Sequence, residues 1–220
     1  MDATENPSRE RILERIRAAV QSPAPRQQPA GAPDGRAIFS PVGDPLERFQ
    51  AECAANLTEC LVTSDSAASA AAIEDVLASL PLGELFVQDA PEFRRMAQAW
   101  QAGRGIRWSS EGGPAEASQA TLTLAEVLVA ATGSILVSAS CGGRGASVVA
   151  PYHIVLARLE QLVPDLEAAF ARAYEQGTPS RNSFMGLITG SSRTADIEKL
   201  LVVGAHGPRR LVVVVQRADK

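Results

Sequence analysis

Apolar residues change their spacing several times along this chain, and each change marks an element. The first pattern is helical. In PSRERILERIRAAV, residues Ile12, Leu13, Ile16 and Val20 fall on one face opposite a charged one, with Asn6 as N-cap and Pro7 at the first helical position. From about Gln21 to Arg36 the periodicity stops, and Pro, Gln, Ala and Gly take over. Such a stretch buries too little apolar surface to offset the entropy of ordering it. The pattern predicts a helical arm over residues 1–20, a flexible linker over 21–37 and a folded domain over 38–220, with the arm docking onto that domain or onto another copy.

From Phe39 onward, short apolar runs alternate with helical stretches. Asp44 and Pro45 open a helix running to about Leu57, and CLVTS follows as a short buried strand. DSAASAAAIEDVLASL reads as a helix, ELFVQD as a strand, PEFRRMAQAW as a helix and GIRWS as a strand. Beyond Gly112 the rhythm changes. ATLTL, VLVA, GSILVSA and YHIVLARL are strand-like runs in close succession. A helix (PDLEAAFARAYEQG), the strand FMGLIT, a helix from about Thr194 and the strand RLVVVV complete the chain. Strands too apolar to face water argue for an α/β fold: a mostly parallel sheet with helices on both faces and a mixed β portion.

Composition narrows the function classes. An apolar share of 45% over 220 residues suits a globular domain, and a net charge of -4 disfavours nonspecific nucleic-acid binding. Cys53, Cys60 and Cys141 form no C-x-x-C pair, which predicts neither a disulfide framework nor a zinc site. No apolar stretch is long enough to span a bilayer, and the opening residues lack a signal peptide's apolar core. A cytoplasmic protein without membrane contact is expected.

Four stretches are candidates for chemistry. TGSSRTADIE follows a strand-like run, and Ser191, Ser192, Arg193 and Thr194 stand where a helix is expected to begin. They form either an anion site built on a helix N-terminus or an ordinary cap. CGGRGAS lacks phosphate-loop spacing, which leaves Arg144 as its single anion ligand; a surface loop is the alternative. The two histidines, His153 and His206, have no metal-ligand spacing. His206 lies in a turn between Gly204 and Gly207 and suits proton exchange, whereas His153 opens a strand. In AEVLVAATGSILV, Glu126 is a potential acid or base, and Thr132, Gly133 and Ser134 form a polar turn.

Taken in order, ATGSILV, PYHIVLARLEQLV, ITGSSRTADIEKLLVVGAHGP and LVVVV resemble the LUD domain of the lactate utilization protein C family, and SRERILERIRAA is similar to its N-terminal helix. The resemblance implies a NagB/RpiA/CoA transferase-like fold with ligands at the C-terminal ends of strands. It also implies a bacterial role in oxidising L-lactate to pyruvate beside iron–sulfur partner proteins. The family pattern falls on Thr132, Gly133, His153, Ser191, Arg193, Thr194, Asp196, Glu198, His206, Gly207 and Pro208. It departs at Ala131, where the family carries glutamate, so a noncatalytic member or substitution by Glu126 stays open. The expectation is an accessory subunit with a small-carboxylate cleft, His206 exchanging protons and no bound cofactor. The alternatives are a stand-alone enzyme for a phosphorylated or coenzyme A-linked ligand, or an assembly or regulatory module.

Overall fold

In the computed structural model, residues 7–21, 42–100, 104–112, 115–195, 201–203 and 207–218 are described. The chain divides into two units, Met1–Ile38 and Phe39–Lys220. The first contributes helix α1 (Pro7–Gln21), which leaves Ile12 and Ile16 exposed. Gln21, expected to begin the linker, instead ends α1, and residues 22–37 fall outside the described residues. Among the described residues, no helix is long and apolar enough to cross a membrane.

The second unit is built on a six-stranded parallel sheet. Its strands are β1 (Thr58–Thr63), β2 (Leu85–Val87), β3 (Ile106–Trp108), β4 (Ala120–Leu124), β7 (Tyr152–Arg158) and β12 (Arg210–Gln216), in the order β1-β12-β7-β4-β2-β3. A four-stranded sheet holds β8 (Leu162–Val163), β5 (Val127–Val129), β6 (Ser134–Ser138) and β9 (Met185–Ile188) in that order. Helices α2 (Pro45–Ala55), α3 (Ser66–Ala78), α4 (Pro91–Trp100), α5 (Leu166–Glu175) and the short α6 (Thr178–Arg181) complete it. Aspartates start three of them. Asp44 Oδ1 accepts the Leu46 and Glu47 N–H groups at 2.8 and 3.0 Å, and Asp65 and Asp165 cap α3 and α5 likewise.

Successive residues of the central strands face opposite layers, so both sets must be apolar. Ile154, Leu156, Val212 and Val214 pack with Ile73 and Leu77 of α3 and Phe93 of α4. Val155, Ala157, Leu211, Val213 and Val215 face the other way, against Phe49 and Cys53 of α2 and Leu128, Ile135 and Val137 of the small sheet. Helices thus lie on both faces, as expected, and the mixed β portion is a separate layer: one face has α3 and α4, and the other has α2 with a second sheet. That sheet's far side, Val127, Val129 and Leu136, is covered by α5 through Ala169 and Ala173. Burial on both sides explains why β5 and β6 lack a polar alternation.

The helix expected from about Thr194 is corrected. β10 (Arg193–Ala195) pairs antiparallel with β11 (Leu201–Val203), in the register Arg193–Val203, Thr194–Val202 and Ala195–Leu201. The Leu-Val-Val run favours extended backbone, and pairing with it commits the N–H and C=O groups that a helix would use internally.

Candidate functional site

The TGSSR segment and Gly207–Pro208 meet at a groove of about 460 Å³, walled by Val148, Leu187, Ser191, Ser192, Arg193 and Gly207. Two glycines permit the meeting. Gly190 has φ +84°, and a Cβ there would lie 2.3 Å from the Asn56 carbonyl oxygen. Gly207 has φ +91°, and a Cβ there would lie 2.9 Å from Ser192 Cβ. Both demands exclude ordinary side chains. The Ser192 N–H donates to the Pro208 carbonyl at 2.7 Å, which ties the segments together. Arg193 is half-buried and pairs with no carboxylate among the described residues.

A chain of hydroxyls joins this groove to the β5–β6 turn. Thr132 Oγ1 lies 2.7 Å from Ser134 Oγ, which lies 2.6 Å from Thr189 Oγ1. Asn56, at the end of α2, donates through Nδ2 to the Glu52 and Thr132 carbonyls at 2.9 and 3.2 Å. Gly133, at φ +63°, lets the turn approach α2 so closely that a Cβ would sit 2.9 Å from Cys53 N. The fold thus gathers Thr132, Gly133, Ser134, Ser191, Ser192 and Arg193. It adds Thr189 and Asn56, which sequence reasoning missed. Thr189 directly precedes Gly190 in the motif, so proximity was the available signal; Asn56 gave none. Ala131 is buried beside the turn, with its N–H donated to the Pro164 carbonyl at 2.9 Å.

Other predicted residues lie elsewhere. Glu126 belongs to the far end of β6, about 13 Å from Ser134 at the usual rise per strand residue. Its Oε1 accepts from Ser138 Oγ at 2.5 Å, and Cys141 Sγ lies 3.7 Å away. Burial is the main reason the Cys141 thiol is pushed up to about 11, which keeps it protonated near neutral pH. Arg144 is exposed and donates to the Ser183 carbonyl at 3.3 Å. His153 is 0% exposed, and its Nε2 lies 2.9 Å from Thr123 Oγ1. Burial lowers its pKa from 6.5 to about 4, so it is a neutral group inside the sheet layer and does not line the groove. Thr194 lies in β10 rather than at a helix start, and without that helix its dipole contributes nothing to anion binding. Asp196, Glu198 and His206 fall outside the described residues.

The groove's position also differs from expectation. Val148 precedes β7, and Gly207 and Pro208 precede β12, so the groove lies at the N-terminal ends of these parallel strands. A second cavity, of about 470 Å³, occupies the C-terminal ends, between Leu124, Arg158, Gln161, Arg172 and Gln216. Its polar groups are already engaged. Arg158 pairs with Glu92 at 3.0 Å, Gln161 donates to the Ala125 carbonyl at 2.6 Å, and Arg172 donates to the Glu160 carbonyl. Its walls come from scattered segments, which hid it from sequence reading.

Residues 113–215 match the LUD domain family, a range that includes every residue lining the groove. The uncharacterized protein YkgG of Escherichia coli K12 is 28% identical over 172 residues, covering 72% of this chain and 73% of that protein. Lactate utilization protein C of Geobacillus sp. WCH70 is 27% identical over 186 residues, covering 77% of each. That of Deinococcus radiodurans is 35% identical over 103 residues, covering 44% of this chain and 46% of the relative. A crystal structure of a DUF162 family protein from Deinococcus radiodurans superposes with a TM-score of 0.61 at 19% identity, covering 80% of this chain and 99% of that one, a likeness of fold.

Proposed function

We propose that the chain is a member of the lactate utilization protein C family, as its LUD-domain match and its relatives support, and that it serves lactate utilization by binding a small carboxylate in the groove at Ser191–Arg193. One observation carries the reading. A guanidinium without a described carboxylate partner stands in a cavity walled by serine hydroxyls, at the meeting point of two sequence motifs. A guanidinium fork matches a carboxylate in shape and charge, and the hydroxyls of Ser191 and Ser192 supply further donors.

In this reading the chain is an accessory protein in the oxidation of L-lactate to pyruvate. It holds the carboxylate, and the electrons leave through iron–sulfur partner proteins. His206, adjacent to Gly207 in sequence, is the side chain suited to exchange a proton near neutral pH. Residues 38–220 form the binding domain, with residues 1–20 as an arm on a 21–37 linker.

Calorimetric titration with L-lactate, pyruvate, a sugar phosphate and acyl-coenzyme A tests the proposal. Lactate or pyruvate should saturate one site. Arg193→Ala should weaken it by about 1.5–3 kcal/mol, roughly ten- to a hundred-and-fifty-fold, with little change in melting temperature. Unchanged affinity in Arg193→Ala would remove the groove from the argument. Tight binding of a phosphorylated or coenzyme A-linked ligand, with none of lactate, would favour a stand-alone enzyme. Binding of none of these ligands would leave an assembly or regulatory module.

A further inference from the structure

Cys53 and Cys60 are both free thiols. Cys53 ends the apolar face of α2 and is 0% exposed, whereas Cys60 is partly exposed on β1, an edge strand. A tight turn at Asn56 and Leu57, the latter at φ 57°, folds the helix back along the strand. Both side chains therefore enter the same apolar layer beneath Val213, close enough for each thiol to shift the other's pKa. We propose that Cys53 and Cys60 form a reversible intramolecular disulfide when the protein meets a peroxide, with Cys60 attacking and Cys53 resolving.

The geometry sets the order. Cys60 is partly exposed whereas Cys53 is fully buried, so peroxide meets Cys60 first, and the neighbouring Cys53 thiol lowers its pKa. The same proximity, with burial, raises that of Cys53, which stays protonated until it reacts. The Cys60 thiolate attacks a peroxide oxygen, the O–O bond breaks, and Cys60 becomes a sulfenic acid as hydroxide departs. Cys53 sulfur then attacks Cys60 sulfur, the S–O bond breaks, and water leaves with the Cys53 proton. Two thiols and one hydrogen peroxide give one disulfide and two waters, so two electrons pass from sulfur to peroxide.

Cys141 is kept apart, since its sulfur lies against Ser138 and Glu126 at the far end of β6. Cys53 is also 3.9 Å from the Gly133 carbonyl, so a shift of its helix turn reaches the polar turn bordering the groove. The proposal holds whatever the groove binds.

Full-length protein should be titrated with hydrogen peroxide, alkylated and digested with trypsin. No Lys or Arg lies between Arg48 and Arg94, so both cysteines stay on one fragment. The expected product is that fragment, unalkylated and two hydrogens lighter, in wild type and in Cys141→Ser. Dithiothreitol should reverse it. Cys60→Ser should not form it, and Cys53→Ser should stop at an oxidised Cys60. Two alkylatable thiols after peroxide, sulfinic acid at Cys60 in wild type, or covalent dimers through Cys60 would each overturn the proposal.

Discussion

Acidification should weaken this fold through one buried imidazole. His153 is 0% exposed, with Nε2 2.9 Å from Thr123 Oγ1 and Nδ1 without a partner among the described residues. Burial lowers its pKa from 6.5 to about 4, so the folded protein holds it neutral. The unfolded chain takes up a proton near 6.5, and between those values it binds more protons than the native state does. Stability is therefore fully present above 6.5, falls as the pH drops, and stops falling below about 4. The gap corresponds to about 3 kcal/mol, of which about 2 kcal/mol is lost by pH 5. Urea unfolding of wild type and His153→Gln, at intervals from about pH 8 to about 4.5, measures it. Glutamine does not titrate, and carboxylates common to both proteins cancel in the difference. At neutral pH the variant should be less stable by roughly 1–3 kcal/mol, because a buried amide replaces a fitted ring. That deficit should shrink by about 2 kcal/mol on reaching pH 5. Parallel stability curves would refute the reasoning, and so would a ring-proton NMR titration of folded His153 near its ordinary value.

Gly190→Ala should cost about 2 kcal/mol or more, since φ +84° and a contact of 2.3 Å to the Asn56 carbonyl both oppose a Cβ. A urea midpoint equal to wild type would show that the turn relaxes freely. Asp44→Ala should cost about 1 kcal/mol by releasing the Leu46 and Glu47 N–H groups. Asp44→Ser should recover most of that loss in the same melt, and no difference between the two variants would deny the cap its role.

Much of the fold was legible because each strand and helix carries its own burial pattern. Leu211 to Val215 read as a strand enclosed on both faces, and Asp44, Asp65 and Asp165 stand where helices start. Ser191, Arg193 and Gly207 were legible as local motifs. Two things were not. VLV and SILVS declare burial on both sides but do not say whether a helix or a second sheet lies above them, since apolar contact is non-directional. Residues 193–195 look like a helix start until Leu201–Val203 pairs with them, because a backbone takes whichever hydrogen-bond partner the fold supplies. The sequence alone determined which residues seek the interior and where the chain turns. Tertiary structure decided which of them meet. Asn56 against Gly190, Ser134 against Thr189 and Cys53 against Gly133 are contacts of packed surfaces, and their distances depend on neighbours remote in the chain.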